Sequence, residues 1–195
     1  SSFYLDIIKD RLYTEKADSV ARRAAQTTMY YILDALVKIL TPMISFTAEE
    51  IWSAMKHTEK ENVESPMLAD YPVPNDEWDN KEIAEKWEKI IKVKNIVAKD
   101  LELARAEKTI GNSLDAKVTI YAEGEEYKFL KENEELIKLV LIVSGLEIQE
   151  NNRKQEEKLG VKVEHATGEK CERCWMYNDH LEDGLCPRCK EVLEK

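Results

Sequence analysis

The sequence predicts a mainly α-helical protein, followed by a small α+β domain and a short cysteine-rich ending. All six glycines follow residue 110, so the first part of the chain lacks the residue that most readily supports tight turns. The apolar period changes from helical spacing to alternation near residue 115, which indicates a strand. All four cysteines lie in the last 25 residues, where they form two pairs.

Helical spacing and a proline define the first two predicted elements. Residues 1–13 carry apolar side chains at the intervals of an amphipathic helix. A second helix is predicted from Asp18 to Leu40, where apolar residues recur at three and four positions. Pro42 ends this helix, because proline lacks the amide proton that a helix needs and clashes with the preceding turn.

A capping pattern and three prolines mark the next stretch. Thr47 and Glu50 have the spacing of a capping box, in which each side chain satisfies an unpaired amide at the start of a helix. We therefore expect a third helix to begin at Thr47. Residues 58–78 contain three prolines among polar residues, which predicts an extended strap rather than a helix.

Residues 79–165 are predicted to form the α+β domain. A long amphipathic helix occupies the start of this segment. From Asp115 onward, apolar and polar residues alternate, which predicts a strand. The apolar run Leu139–Val143 predicts a second, buried strand, which Leu146 and Ile148 continue past Gly145. Val161 with Val163 predicts a strand at the edge of the sheet.

The cysteines stand in two short motifs, Cys171-Glu-Arg-Cys174 and Cys186-Pro-Arg-Cys189, with eleven residues between them. Each two-residue gap directs two thiolates at one point, and four thiolates complete a tetrahedron around zinc at about 2.3 Å. Two disulfides or four free thiols are the alternatives, but disulfides need an oxidising compartment and we expect no export of this chain. We therefore predict one structural zinc ion bound by all four cysteines, with no open position for a catalytic water.

The cysteine-rich ending is too short to bury much apolar surface, so we expect the metal to supply its folding energy. Asn178, Asp179 and the pair Asp183-Gly184 predict the turns between the two motifs. The zinc ion would then hold side chains of this ending in position for contact with a partner. The candidates are Arg173, Trp175, Tyr177 and Arg188, since arginines and exposed aromatic rings hold unstacked RNA bases. Alternatively, the Trp175 ring packs inside the protein.

Net charge narrows the classes of function. The chain has 29 basic and 39 acidic residues, a net charge of −10, which argues against a protein that coats DNA without sequence preference. Residues 1–45 are slightly basic by contrast, with candidate RNA contacts at Lys9, Arg11, Arg22 and Arg23. Alternatively, these four form a solvated face with local ion pairs to Asp6, Asp10 and Asp18. Apolar runs do not exceed five residues, far below the ~20 that span a bilayer.

Several stretches resemble the bacterial-type isoleucyl-tRNA synthetases. SFYLDIIKDRLY at 2–13, RRAAQT at 22–27 and FTAEEIW at 46–52 resemble the anticodon-binding helical domain of that family. ELAR at 102–105 with IGNSLDA at 110–116 resembles the junction unit that follows it. CERCW at 171–175 with LCPRC at 185–189 resembles the zinc ribbon that ends the enzyme. The stretches cover nearly the whole chain in the family's order.

The resemblance implies a division into three domains. Residues 1–78 would be a partial anticodon-binding helical bundle, truncated at its N-terminal side and ending in the strap. Residues 79–165 would be an α+β junction domain that begins with a long helix, and residues 166–195 a four-cysteine zinc ribbon. The implied fold class is therefore mainly α, followed by a small α+β domain and the zinc ribbon.

The resemblance also implies an activity, that of an ATP-dependent ligase joining isoleucine to tRNA(Ile). The chain departs from the family where the chemistry lies, since neither ATP signature, His-Ile-Gly-His or Lys-Met-Ser-Lys-Ser, occurs in it. We therefore expect no catalytic residue here, with ATP and Mg²⁺ bound by an absent catalytic domain. The expected partners are tRNA(Ile) and the remaining domains of the same synthetase, with no DNA and no membrane. The expected state is a cytoplasmic monomer.

Two other classes of function compete with a tRNA-binding module. The zinc ribbon is also similar to the terminal zinc finger of some DNA glycosylases, which would make the chain part of a repair enzyme. Only the cysteine-rich ending supports that interpretation, and the acidic helical remainder argues against it. The other alternative is a zinc-stabilised scaffold for protein interactions that binds no RNA.

Overall fold

A computed structural model describes residues 2–151 and 159–194 of the chain. It is rich in helix, with one small sheet and one short hairpin. The elements, in chain order, are α1 (Ser2–Ile7), α2 (Lys9–Thr14), α3 (Val20–Leu40), α4 (Ser45–Ala54), α5 (Lys81–Ala106), β1 (Ala116–Ala122), α6 (Gly124–Glu132), α7 (Glu134–Leu141), β2 (Gly145–Glu150), β3 (Gly160–His165), β4 (Glu169–Lys170), β5 (Tyr177–Asn178) and α8 (Pro187–Leu193). Among the described residues, no helix has the length and apolarity needed to cross a lipid bilayer.

The molecule divides into two compact units. One contains Glu15–Asn80, and the other combines Ser1–Thr14 with Lys81–Lys195. Within the second unit, α1 packs on α5, where the Phe3 and Trp87 rings meet edge to face with centroids 6.5 Å apart. The predicted domain boundaries at residues 78 and 165 divide the chain by function, whereas the two compact units divide it by packing. The predicted boundaries therefore stay a prediction.

The first predicted helix is distorted in the middle. Residues 2–14 form two short helices, α1 and α2, instead of one. Backbone hydrogen bonds continue across the break, from Ile8 N to Tyr4 O at 3.2 Å and from Leu12 N to Ile8 O at 3.0 Å. Ile7 and Ile8 are both buried at this point. The prediction of a helix is therefore confirmed, with a local kink that its apolar spacing did not reveal.

The unit formed by residues 15–80 is built on α3 and α4. The predicted stop of α3 is confirmed, since α3 ends at Leu40, one residue before Thr41-Pro42. The predicted start of α4 at Thr47 is wrong, because the helix begins two residues earlier, at Ser45. The Ser45 hydroxyl already donates to the Thr41 carbonyl, 2.9 Å away, so the chain turns into the helix before Thr47 can cap it.

The strap over residues 58–78 contains three single 3-10 turns and no α-helix, so its non-helical prediction is confirmed. It is joined to the helices through Trp52, which is buried and donates from its indole Nε1 to the Val63 carbonyl at 2.9 Å. Lys38 is buried beside the same ring. Its ammonium nitrogen lies 2.8 Å from Asp34 Oδ2 and 2.9 Å from Glu61 Oε1.

The second unit contains a three-stranded sheet in the order β2-β1-β3. The central strand β1 runs parallel to β2 and antiparallel to β3, so the predicted edge position of β3 is confirmed. Val118 and Ile120 of β1 are completely buried. Helices α5 and α7 pack beside the sheet and contribute further fully buried side chains, at Ile90, Val97, Ile137 and Val140.

The prediction of a buried strand over Leu139–Val143 is wrong, whereas its continuation through Leu146 and Ile148 is confirmed as β2. Helix α7 continues to Leu141, and Ile142 ends it with a left-handed backbone at φ +56°. Buried side chains at Ile137, Val140 and Leu141 are three and four residues apart, as on the inner face of a helix. A run of five apolar residues suits a buried helix end as well as a strand, so the sequence pattern could not distinguish them.

Candidate metal centre and nucleic-acid interface

The four cysteines form a compact cluster within residues 166–194, which we call the cysteine module. Their sulfur atoms all lie within 4.8 Å of one another, and all four side chains are buried. Cys174 Sγ and Cys186 Sγ are 3.8 Å apart. Four thiolates at about 2.3 Å from a tetrahedral zinc ion would be separated by about 3.8 Å, so the cluster fits this metal.

Short backbone turns hold the sulfur atoms in place. In the first motif the Cys171 amide donates to the Met176 carbonyl, and the Trp175 amide donates to the Cys171 carbonyl, each at 2.9 Å. In the second motif Cys186 precedes α8, where Pro187 provides a favourable first residue. The Cys186 amide donates to Cys171 Sγ at 3.4 Å, which ties the two motifs together.

The surroundings of Cys171 and Cys174 shift the pKa values of their thiols in opposite directions. Burial raises the pKa of the Cys171 thiol, but backbone N–H groups of Cys174 and Cys186 outweigh that effect and lower its pKa below the ordinary value. Burial raises the pKa of Cys174 instead. Because zinc binds thiolates, binding at this cluster must release protons from its less acidic members.

A tight turn closes the loop between the motifs. Glu182 and Leu185 exchange two backbone hydrogen bonds of 3.0 Å, with Asp183 at φ +52° and Gly184 at φ +76° between them. Two successive positive φ values characterise a type I′ turn, for which Asp-Gly is a preferred pair. The turn predicted at Asp183-Gly184 is confirmed.

Trp175 lies on the surface of the cysteine module. Its side chain is 61% exposed, and its backbone has the left-handed conformation at φ +64°, which is unusual for a large residue. The small apolar core around the cysteines is completed by other residues, Met176, Leu181 and Leu185. The tight first motif therefore holds the indole outward rather than in this core.

The two predicted arginines of the module have partners inside the protein. Arg188 forms a two-pronged ion pair with Asp10 of α2, with Nη1–Oδ2 at 2.5 Å and Nη2–Oδ1 at 2.7 Å. Arg173 Nη1 donates to the Thr14 carbonyl at 2.7 Å and lies 3.6 Å from Cys189 Sγ. Sequence reasoning assigned Asp10 to local pairs, and its link to Arg188, 178 residues away, was missed.

The predicted basic residues near the start of the chain differ in their surroundings. Lys9 is exposed and pairs with Asp6, with Nζ–Oδ1 at 2.7 Å, whereas Arg11 is half-buried. In the other unit, Arg22 donates from Nη1 to the Glu15 carbonyl at 3.0 Å, and Arg23 is exposed. The buried Arg22 Nε has no hydrogen-bond partner within the described part of the chain.

The comparisons with known proteins agree with the family suggested by the sequence. The family described as "Anticodon-binding domain of tRNA ligase" matches residues 1–120. Isoleucine–tRNA ligases of Caldanaerobacter subterraneus and Caldicellulosiruptor saccharolyticus are 47% and 49% identical over the whole chain, which spans 22% and 21% of their lengths. That of Natranaerobius thermophilus is 42% identical, again over the whole chain and 22% of its own length. The chain therefore belongs to the family of anticodon-binding domains of tRNA ligases.

Proposed function

We propose that the chain is the tRNA-reading C-terminal region of an isoleucine–tRNA ligase, which attaches isoleucine to tRNA(Ile) with ATP. The family match over residues 1–120 and the relatives that cover the whole chain support this proposal. The chain spans about a fifth of the length of those relatives. ATP and Mg²⁺ belong to the catalytic domain, and this chain contributes recognition only. The enzyme acts as a cytoplasmic monomer with tRNA(Ile) as its nucleic-acid partner.

The proposed site is the cysteine module with one zinc ion on Cys171, Cys174, Cys186 and Cys189. Zinc supplies folding energy there and no reaction chemistry, because four thiolates leave no position for water or substrate. The compact, buried cluster of four sulfur atoms supports this assignment. Along the chain, we propose an anticodon-binding part to residue 78, a junction domain to residue 165 and the zinc ribbon beyond it.

The exposed indole of Trp175 is the observation that carries the proposal. A ring that is 61% exposed, on a backbone held in a tight turn, is available to stack on an unpaired base. Such stacking contributes about 1–3 kcal/mol per base. Lys9, Arg11, Arg22 and Arg23 are the proposed contacts to tRNA phosphates. A role of Arg173 and Arg188 in holding RNA bases stays a prediction.

Replacing Trp175 in the full-length enzyme tests the proposal. Trp175→Gly removes the ring and suits the positive φ, so the turn should keep its shape and its zinc. We expect binding of tRNA(Ile) to weaken by about 5- to 150-fold, the equivalent of one lost stacking contact. Trp175→Phe keeps an aromatic ring and is the matched control, with a smaller loss. Unchanged tRNA affinity in a zinc-loaded Trp175→Gly enzyme would refute this role of the module.

A further inference from the structure

The two cysteine motifs share an arginine at the same position, immediately before the second cysteine of each pair. Arg173 and Arg188 both reach the short helix α2. One binds the Thr14 carbonyl and the other binds the Asp10 carboxylate. Asp10 lies in the first turn of α2 and Thr14 is its last residue, so the two arginines bind the same short helix at two points.

Asp10 is fully engaged in this contact. Its two carboxylate oxygens accept hydrogen bonds from both terminal nitrogens of Arg188, and Oδ1 also accepts from the Thr14 hydroxyl at 2.8 Å. The Asp10 side chain is 19% exposed. Two parallel hydrogen bonds between ionised groups fix the geometry more strictly than a single ion pair does. This contact therefore orients the second cysteine motif against α2.

Arg173 connects α2 to the sulfur cluster itself. Its Nη1 atom donates to the Thr14 carbonyl at the last residue of α2, where carbonyl groups lack partners within the helix. The same atom lies 3.6 Å from Cys189 Sγ. Four thiolates around one zinc ion leave a net negative charge on the site, which two neighbouring guanidinium groups can balance.

We propose that Arg173 and Arg188 are positioning residues, which fasten the cysteine module to α2 and thereby fix the direction of Trp175. In this role their guanidinium groups are engaged within the protein and do not contact tRNA phosphates. Zinc binding then orders α2 as well as the module, because each arginine belongs to a motif that supplies metal ligands. The part that concerns Trp175 rests on the proposed tRNA-reading function.

The first test uses amide hydrogen exchange in the full-length, zinc-loaded enzyme without tRNA. Arg188→Gln leaves the sequence of α2 unchanged, so any effect on residues 9–14 must pass through the contact with Asp10. We expect exchange in α2 to accelerate by about tenfold, since a charged two-pronged hydrogen bond is lost, while one zinc per chain is retained. Unchanged exchange in α2 would overturn the proposal, whatever happens to tRNA binding.

The second test distinguishes a positioning role of Arg188 from an RNA contact by whether the affinity for tRNA rises or falls. If Arg188 contacted a phosphate, Asp10→Asn would free it from a competing carboxylate and tighten tRNA binding. If the pair of Arg188 with Asp10 positions the module instead, Asp10→Asn should weaken tRNA binding by about tenfold, within the range of one lost stacked base. Asp10→Asn combined with Arg188→Gln should then bind as weakly as either single variant.

Asp6→Asn is the matched control, because Asp6 is a carboxylate on the neighbouring helix α1 with an exposed partner, Lys9. We expect this variant to bind tRNA with unchanged or slightly higher affinity. Tighter binding by Asp10→Asn would overturn the proposal. If Trp175→Gly leaves tRNA affinity unchanged while Arg188→Gln still loosens α2, the positioning role stands and the proposed tRNA-reading role fails.

Discussion

The sheet region, residues 81–165, and the cysteine module lie in the same compact unit but are stabilised differently. In the sheet region, α5, α7 and β1 enclose a core of completely buried aliphatic side chains such as Ile90 and Ile120. In the module, the buried core is the cysteine cluster itself, with partly buried Met176, Leu181 and Leu185 around it. Apolar burial stabilises the first region, whereas the second depends on arginine contacts and, in our proposal, on the metal bound by its cysteines.

The difference means that each region should respond to its own kind of damage. Losing a metal ligand should unfold the module and spare the sheet, while a cavity in the sheet should lower stability without changing zinc content. A chelator therefore tests how the module is stabilised, and a core substitution tests how the sheet is stabilised.

The largest effect is expected from Cys186→Ser in the full-length enzyme. The variant should lose its zinc, and the module should unfold because its apolar core is too small without the metal. Charging of tRNA should fall by about 5- to 150-fold for each base no longer held, while formation of isoleucyl-adenylate stays nearly unchanged. Both half-reactions are measured on the same sample. An equal fall in both would show that the module supports the whole enzyme.

A core substitution in the sheet should lower stability by the same amount whether or not the metal is bound. Ile120 is completely buried in the central strand, so Ile120→Ala should lower the free energy of unfolding by about 2–5 kcal/mol. Denaturant unfolding followed in the zinc-loaded and the chelated protein measures this loss. The same loss is expected in both samples. If the chelator alone destabilised the sheet as strongly, the claim that the two regions are stabilised independently would be wrong.

A smaller effect is expected at the boundary between the regions, at Asp115. Its Oδ2 atom accepts from the amides of Gly111 at 3.1 Å and Asn112 at 2.9 Å. Its backbone carbonyl accepts from the Ala166 amide at 2.7 Å, at the start of the module. Asp115→Asn should lower the free energy of unfolding by about 1–3 kcal/mol, because two charge-assisted hydrogen bonds are weakened.

The same residue predicts a pH dependence. Burial raises the pKa of Asp115, but the amides of Asn112 and Gly111 outweigh that effect and lower its pKa below the ordinary value. A carboxyl group with a lower pKa in the folded state stabilises the fold above its unfolded pKa of about 4, and this contribution is lost as the pH falls further. Stability measured between neutral and acidic pH should therefore fall less in Asp115→Asn than in the unaltered protein.

The features that sequence could predict are those set by nearby residues. The cysteine spacing predicted a cluster, Pro42 predicted the end of α3, and Asp183-Gly184 predicted a tight turn. The pairing of Asp10 with Arg188 could not be predicted, because 178 residues separate them and neither forms a motif with the other. The run Leu139–Val143 was assigned wrongly because burial alone favours both a helix and a strand.

The buried ammonium group of Lys38 provides a chemical reporter for the other compact unit. Its side chain is 5% exposed and pairs with two carboxylates beside the Trp52 ring, so an amine-reactive reagent should reach it only after these contacts open. Its rate of acylation, compared with that of an exposed lysine such as Lys128, would time this opening directly. Once acylated, the side chain could no longer neutralise Asp34 and Glu61, so the unit should not close again in its original form.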